Sequence, residues 1–116
     1  MGVGRKLKEY NRAIEIIGVQ PSRPQNKQQG LLNFQEFKPE IFNPEVVDEI
    51  IQVEDEDALK TARAIFLKEG LFVGISSGSA MCGAIQKART IQKGLIVTIF
   101  GDHGFKYLST ELFCQQ

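Results

Sequence analysis

The chain has 116 residues, 42% of them hydrophobic, which suits one folded domain with a modest core and excludes a disordered segment. Its 14 Lys and Arg balance 14 Asp and Glu, so no net charge draws it to nucleic-acid phosphates or anionic lipid. The single histidine and two distant cysteines, Cys82 and Cys114, give no metal-site spacing. No apolar run approaches the roughly 20 residues of a membrane helix, and no signal-type apolar region follows Met1; a reducing cytoplasm is the expected compartment.

Residues 3 to 10, "VGRKLKEY", read as a short basic helix. "IEIIGVQP", residues 14 to 21, is rich in β-branched side chains and reads as a first strand stopped by Pro21. The polar "SRPQNKQQG" that follows reads as a surface loop, the least ordered stretch of the chain. "LLNFQEFKPEIFNPEV" carries Leu31, Phe34, Phe37 and Phe42 without a clear period and reads as an irregular, packed connection. "DEIIQV", residues 48 to 53, is a second expected strand.

From Glu54 to Gly70, Ala58, Leu59, Ala62, Ile65 and Phe66 recur at helical spacing. Acids crowd the start of this helix and Lys68 and Gly70 close it, as the helix dipole and the left-handed cap favour. "LFVGI" reads as a third strand and "SSGSAMCGAIQKARTI" as a second long helix, with Cys82 a small buried apolar residue on it. "LIVTIF", residues 95 to 100, is apolar throughout and reads as a fourth strand buried on both faces. "GDHGFKY" is a loop and "LSTELF" a closing helical turn. Strands alternating with helices predict an α/β fold, a parallel sheet with flanking helices. Ligands of such sheets lie beyond the carboxyl ends of the strands, where Ser76-Ser77-Gly78 and the loop from Gly101 to Phe105 fall.

Gly74-Ile75-Ser76-Ser77-Gly78 fits the G-x-S-x-G of a serine hydrolase elbow. A triad needs a base and an acid that converge on the serine. The only imidazole is His103, and Asp102 is its immediate neighbour. Adjacent side chains in an extended loop diverge, so the hydrolase assignment is set aside. Two other roles stay open for this stretch: Ser76 or Ser77 caps the helix, with Gly78 and Gly83 allowing close backbone approach, or Ser76 touches a cofactor.

"EIIGVQP", "FKPEIFNPEVVDEII", "DEDALKTARAIFLKEGLFVGISSGSA", "GLIVTIFGD" and "KYLSTELF" resemble, in this order, the C-terminal part of cysteine synthase (O-acetylserine sulfhydrylase), with the flavour of the B-type isoform. The resemblance covers nearly the whole chain. It implies a fold-type-II pyridoxal-phosphate (PLP) enzyme, with residues 1 to 116 as a C-terminal fragment, part of the large domain. The parent activity it implies is the making of cysteine from O-acetylserine and sulfide by β-replacement. Cystathionine β-synthase is the enzymatic runner-up, and a PLP-free remnant acting as an association module is the non-enzymatic one.

By this resemblance Ser76, the first serine of G-[IVM]-S-S-G, meets the pyridine nitrogen of PLP. Gly30 lies on the loop that faces the substrate and moves when the site closes. Gly2-Val3-Gly4 resembles the tail of the phosphate loop. Two departures stand out: Gln28 replaces an apolar residue two places before Gly30, and Phe105-Lys106 replaces an acid and an arginine. None of the lysines has the context of the family's Schiff-base lysine, so no catalytic residue is assigned here. The chain alone is expected not to retain the cofactor. The family's intact members form homodimers, and self-association is expected of this chain.

Overall fold

The computed structural model describes residues 1–113; Cys114 lies outside them. The basic helix is present as α1, Gly2–Tyr10. The first strand is β1, Ile17–Pro21, shorter than the apolar run that suggested it. Before it, Ile16 already leans on the second strand's leading loop: its N–H donates to the Asp48 carboxylate at 2.7 Å and its carbonyl accepts from Asp48 N at 2.9 Å. Lys8 closes on the same carboxylate at 2.6 Å, and these two partners hold Asp48 below the usual carboxylate range.

The second strand is β2, Glu49–Val53. It pairs in parallel with β1 in a register from Ile17 opposite Glu49 to Pro21 opposite Val53. Pro21, with no N–H to give, sits at the strand's last position, and Ser22 N donates to Val53 O in its place. The connection between the two strands holds only a 3₁₀ turn, Pro44–Val46, capped by the Asn43 side chain. Phe34 and Phe42 pack edge to face there, with centroids 4.5 Å apart. Phe37 does not join them; it is exposed.

Helix α2, Asp55–Glu69, ends in Gly70 at φ 68°, the left-handed position its sequence anticipates. Helix α3, Ile75–Ala88, follows almost at once. The two helices pack on each other and on the strand pair, enclosing a core of Ile51, Val53, Ala58, Leu59, Ala62, Ile65, Val73, Ile75, Tyr107 and Leu112. Cys82 is half-buried and packs against this core. Their contact is backbone-close. A methyl group on Gly78 would lie 2.8 Å from Ala62 Cβ and 2.9 Å from Ala62 N, and would overlap the Ala58 carbonyl oxygen. Gly83 approaches Val19 of β1 in the same way.

Two expected strands are absent. Residues 71 to 75 supply only an isolated antiparallel bridge, Val73 with His103. Residues 95 to 100 form no strand: Leu95, Val97 and Ile99 are 89%, 79% and 75% exposed. An apolar run becomes a doubly buried strand only when neighbours flank it on both sides, and among the described residues β1 pairs only with β2. The closing segment, residues 108 to 113, is a pair of tight turns rather than a helix, with Thr110 N bonded to Tyr107 O and Phe113 N to Thr110 O. No helix among the described residues is long and apolar enough to cross a membrane.

Candidate functional site

The two loops that the sequence places beyond strand ends lie side by side. Gly74 N donates to Asp102 O at 3.2 Å and Gly104 N to Phe72 O at 2.9 Å, so residues 102–104 run against 72–74. Gly74 has no room for a side chain: a Cβ would meet Tyr107 Cε2 at 2.6 Å and strike the Asp102 carboxylate. The chain turns there into α3, with Gly74 as the N-cap and no side-chain capping bond. The capping role expected of Ser76 or Ser77 is therefore not what these residues do, because both already lie inside the first turn.

Ser76 is half-buried, and its hydroxyl makes no hydrogen bond among the described residues. Ser77 is 1% exposed with an unpartnered Oγ, and Asp102 Oδ1 is likewise buried without a partner. The other carboxylate oxygen of Asp102 accepts from Tyr107 Oη at 2.6 Å. Burial, then that carboxylate, push the Tyr107 phenol up to about 12. Asp102 is thus committed to Tyr107 and not to His103. The imidazole stacks on Phe105 at 4.7 Å and meets Phe72 edge-on at 5.1 Å, and its Nδ1 accepts from Phe105 N. No hydrolytic triad forms.

Unengaged hydroxyls beside the positive end of a helix suit a neutral or anionic acceptor. Of the two, only the half-buried Ser76 hydroxyl is open to a ligand, and a neutral hydroxyl can meet an acceptor such as the pyridine nitrogen of PLP without supplying a full charge; Ser77 Oγ is enclosed. These hydroxyls do not suit a metal, and no cluster of metal-ligating side chains occurs among the described residues. Gly2-Val3-Gly4 opens α1, with Met1 as its N-cap. A Cβ on Gly4 would come within 2.8 Å of Val46, so this glycine seats the helix on the connection below it.

Gly30 is exposed and has φ 91°. It is the third residue of a turn closed by Leu31 N donating to Gln28 O at 3.0 Å, a position where a left-handed backbone asks for glycine. The preceding loop is not the loose surface stretch its composition suggests. Gln28 is completely buried. Its Nε2 donates to Val53 O at 2.9 Å and to Asp55 Oδ1 at 2.8 Å, and its Oε1 accepts from Ser79 Oγ at 2.7 Å. Sequence reasoning flags Gln28 only as a departure from an apolar residue. Its signal is a polar residue at an apolar place, and Ser79 in "SSGSA" is the matching polar residue on α3. An open groove of about 620 Å³ runs along this loop, with Arg23, Asn26, Lys27 and Asp55 in its lining; neither Ser76 nor Gly30 lines it.

Residues 1–102 match the family model of the pyridoxal-phosphate dependent enzymes. The chain belongs to that family. It is similar to the cysteine synthase of Aquifex aeolicus, 48% identical over 118 residues, covering 97% of this chain and 36% of that protein. Cysteine synthase B of Salmonella typhimurium is 37% identical, with 99% of this chain and 38% of the relative covered. The crystal structure of cysteine synthase from Entamoeba histolytica superposes with a TM-score of 0.91 at 36% identity, covering 97% of this chain and 36% of that one. The chain therefore has the α/β fold of part of these PLP enzymes and spans little more than a third of their length.

Proposed function

We propose that residues 1 to 116 form the C-terminal part of a PLP-dependent cysteine synthase that makes cysteine from O-acetylserine and sulfide by β-replacement. In this assignment the lysine that carries the coenzyme and the core of the phosphate loop belong to segments outside this sequence. The chain by itself does not hold PLP. The observation that carries the proposal is the free Ser76 hydroxyl in the first turn of α3, within a segment that matches cysteine synthases along almost its whole length.

PLP, when bound, withdraws electrons from the amino acid's α-carbon. Ser76 meets its ring nitrogen with a neutral group. Unlike a carboxylate, that hydroxyl does not hold a proton on the ring, which keeps the electron withdrawal mild and suited to loss of acetate followed by addition of sulfide. One neutral hydrogen bond contributes about 0.5–1.5 kcal/mol, so Ser76 tunes the site more than it anchors the cofactor. Gly30 supplies a backbone surface, free of a side chain, to the substrate side. The protein acts in the cytoplasm as a homodimer or larger self-associated species, away from membrane and nucleic acid.

The test joins residues 1 to 116 to the remaining segments of the Aquifex aeolicus cysteine synthase. The chimera is expected to bind PLP and form cysteine. Ser76→Asp shifts the coenzyme's absorption and slows β-replacement by roughly tenfold or more, the scale of one charge-assisted contact; Ser76→Ala has the smaller effect. An unchanged spectrum and turnover in a folded Ser76→Asp protein removes Ser76 from the ring nitrogen. Formation of cystathionine in preference to cysteine moves the assignment to the cystathionine β-synthase-like alternative.

A further inference from the structure

Gln28 is the one fully buried side chain of the 22–30 loop that reaches three other elements at once. A carboxamide in the core costs free energy unless its groups are paired. Here both N–H groups and the carbonyl oxygen are used, on the end of β2, the first turn of α2 and the second turn of α3. Packing alone asks only for an apolar side chain of this size. Three directional bonds converging from three elements instead fix a position to within a few tenths of an ångström.

The two ends of this link are informative. At one end Gln28 is the first residue of the turn that carries Gly30, and its own carbonyl closes that turn. Asp55 grips the turn a second time, accepting from Lys27 N at 3.0 Å beside its bond to Gln28 Nε2. At the other end Ser79 stands three residues after Ser76 on α3, on the same face of the helix. We infer that Gln28 is a positioning residue: its buried carboxamide locks the Gly30 turn to the helix that carries Ser76, so that the substrate side and the cofactor side of the site keep one geometry. The inference rests on the site proposed above for Ser76 and Gly30.

The experiment reads the link first without cofactor or substrate. Amide hydrogen exchange is followed in the full 116-residue chain and in Gln28→Met, which keeps the volume and removes the polar groups, in Ser79→Ala, and in the double variant. Loss of one net hydrogen bond predicts exchange about tenfold faster at Lys27 and Leu31 in Gln28→Met, with Ala62 and Ile65 in α2 little changed. The double variant matches Gln28→Met at those amides, because the two residues share one bond. Unchanged exchange at Leu31 in a folded Gln28→Met chain overturns the link. If that variant does not fold, Ser79→Ala decides alone by the same amide.

The second reading uses the chimera. There Gln28→Met raises KM for O-acetylserine about tenfold, for the same lost bond, and leaves kcat nearly unchanged. Faster exchange with an unaltered KM overturns the positioning role. A chimera that never binds PLP while the exchange result holds overturns the proposed site and, with it, the positioning role, but leaves the link between loop and helix intact.

Discussion

Gly78→Ala probes the contact on which the site's geometry depends. In a free helix the change is favourable by about 1 kcal/mol, because alanine is the better helix former. In this fold the new methyl group would sit 2.8 Å from Ala62 Cβ and 2.9 Å from Ala62 N and overlap the Ala58 carbonyl oxygen. None of these atoms can rotate away, since two belong to the α2 backbone and the third is a Cβ. The helices must separate, opening a seam where Ala58 and Ala62 are now fully buried. Overpacking of this kind costs about 1–3 kcal/mol, and a rigid backbone obstacle puts it at or above the upper end. With the helix-propensity gain subtracted, a net loss of about 2 kcal/mol remains, equivalent to roughly 10 °C in Tm for a domain of this size. Urea unfolding followed by far-ultraviolet circular dichroism reads it as a lower midpoint at unchanged slope. Gly2→Ala is the control: it too lies in a helix, and nothing stands within 4 Å of its added methyl. A Gly78→Ala chain as stable as its parent, or a Gly2→Ala chain that loses as much, refutes the close-contact account.

Tyr107 gives a pH signature. Its folded value near 12 lies above the ordinary 10.0, so its contribution to stability is complete below about pH 10 and is lost as the pH rises toward 12. Tyr107→Phe removes that alkaline loss. It also leaves the Asp102 carboxylate without its bond, lowering stability at neutral pH by about 1–3 kcal/mol. Urea midpoints measured from pH 7 to 11 test both statements; parallel curves for the two proteins contradict the first. The exposed Leu95, Val97 and Ile99 predict self-association at micromolar concentration, since wetting several hundred Å² of apolar surface costs many kcal/mol at about 25 cal/mol per Å². Light scattering should show dimers or larger species, and Val97→Lys with Ile99→Lys should shift them toward monomer. A monomeric parent chain contradicts the expectation.

The helices are legible in the sequence itself. Ala58, Leu59, Ala62 and Ile65 repeat at helical spacing, acids open α2, and Lys68 and Gly70 end it; each of these signals sits within a few residues of the bond it governs. The Ser-Ser-Gly turn into α3 and the ordered set of family motifs were equally local, and the glycines at 78 and 83 were readable as points of close approach. Tertiary structure decided the rest. Residues 71 to 75 and 95 to 100 have the composition of strands, yet a strand exists only through a ladder of hydrogen bonds to a neighbour distant in sequence; among the described residues β1 and β2 form such a ladder, while residues 71 to 75 find only the single bridge of Val73 with His103. Ser76 looked equally able to cap α3 until Gly74 took that place. Gln28 looked like a solvated loop residue until Val53, Asp55 and Ser79 closed around it. A helix satisfies its backbone within four residues along the chain, whereas strand pairing and the burial of a polar side chain depend on which distant groups the fold brings within about 3 Å.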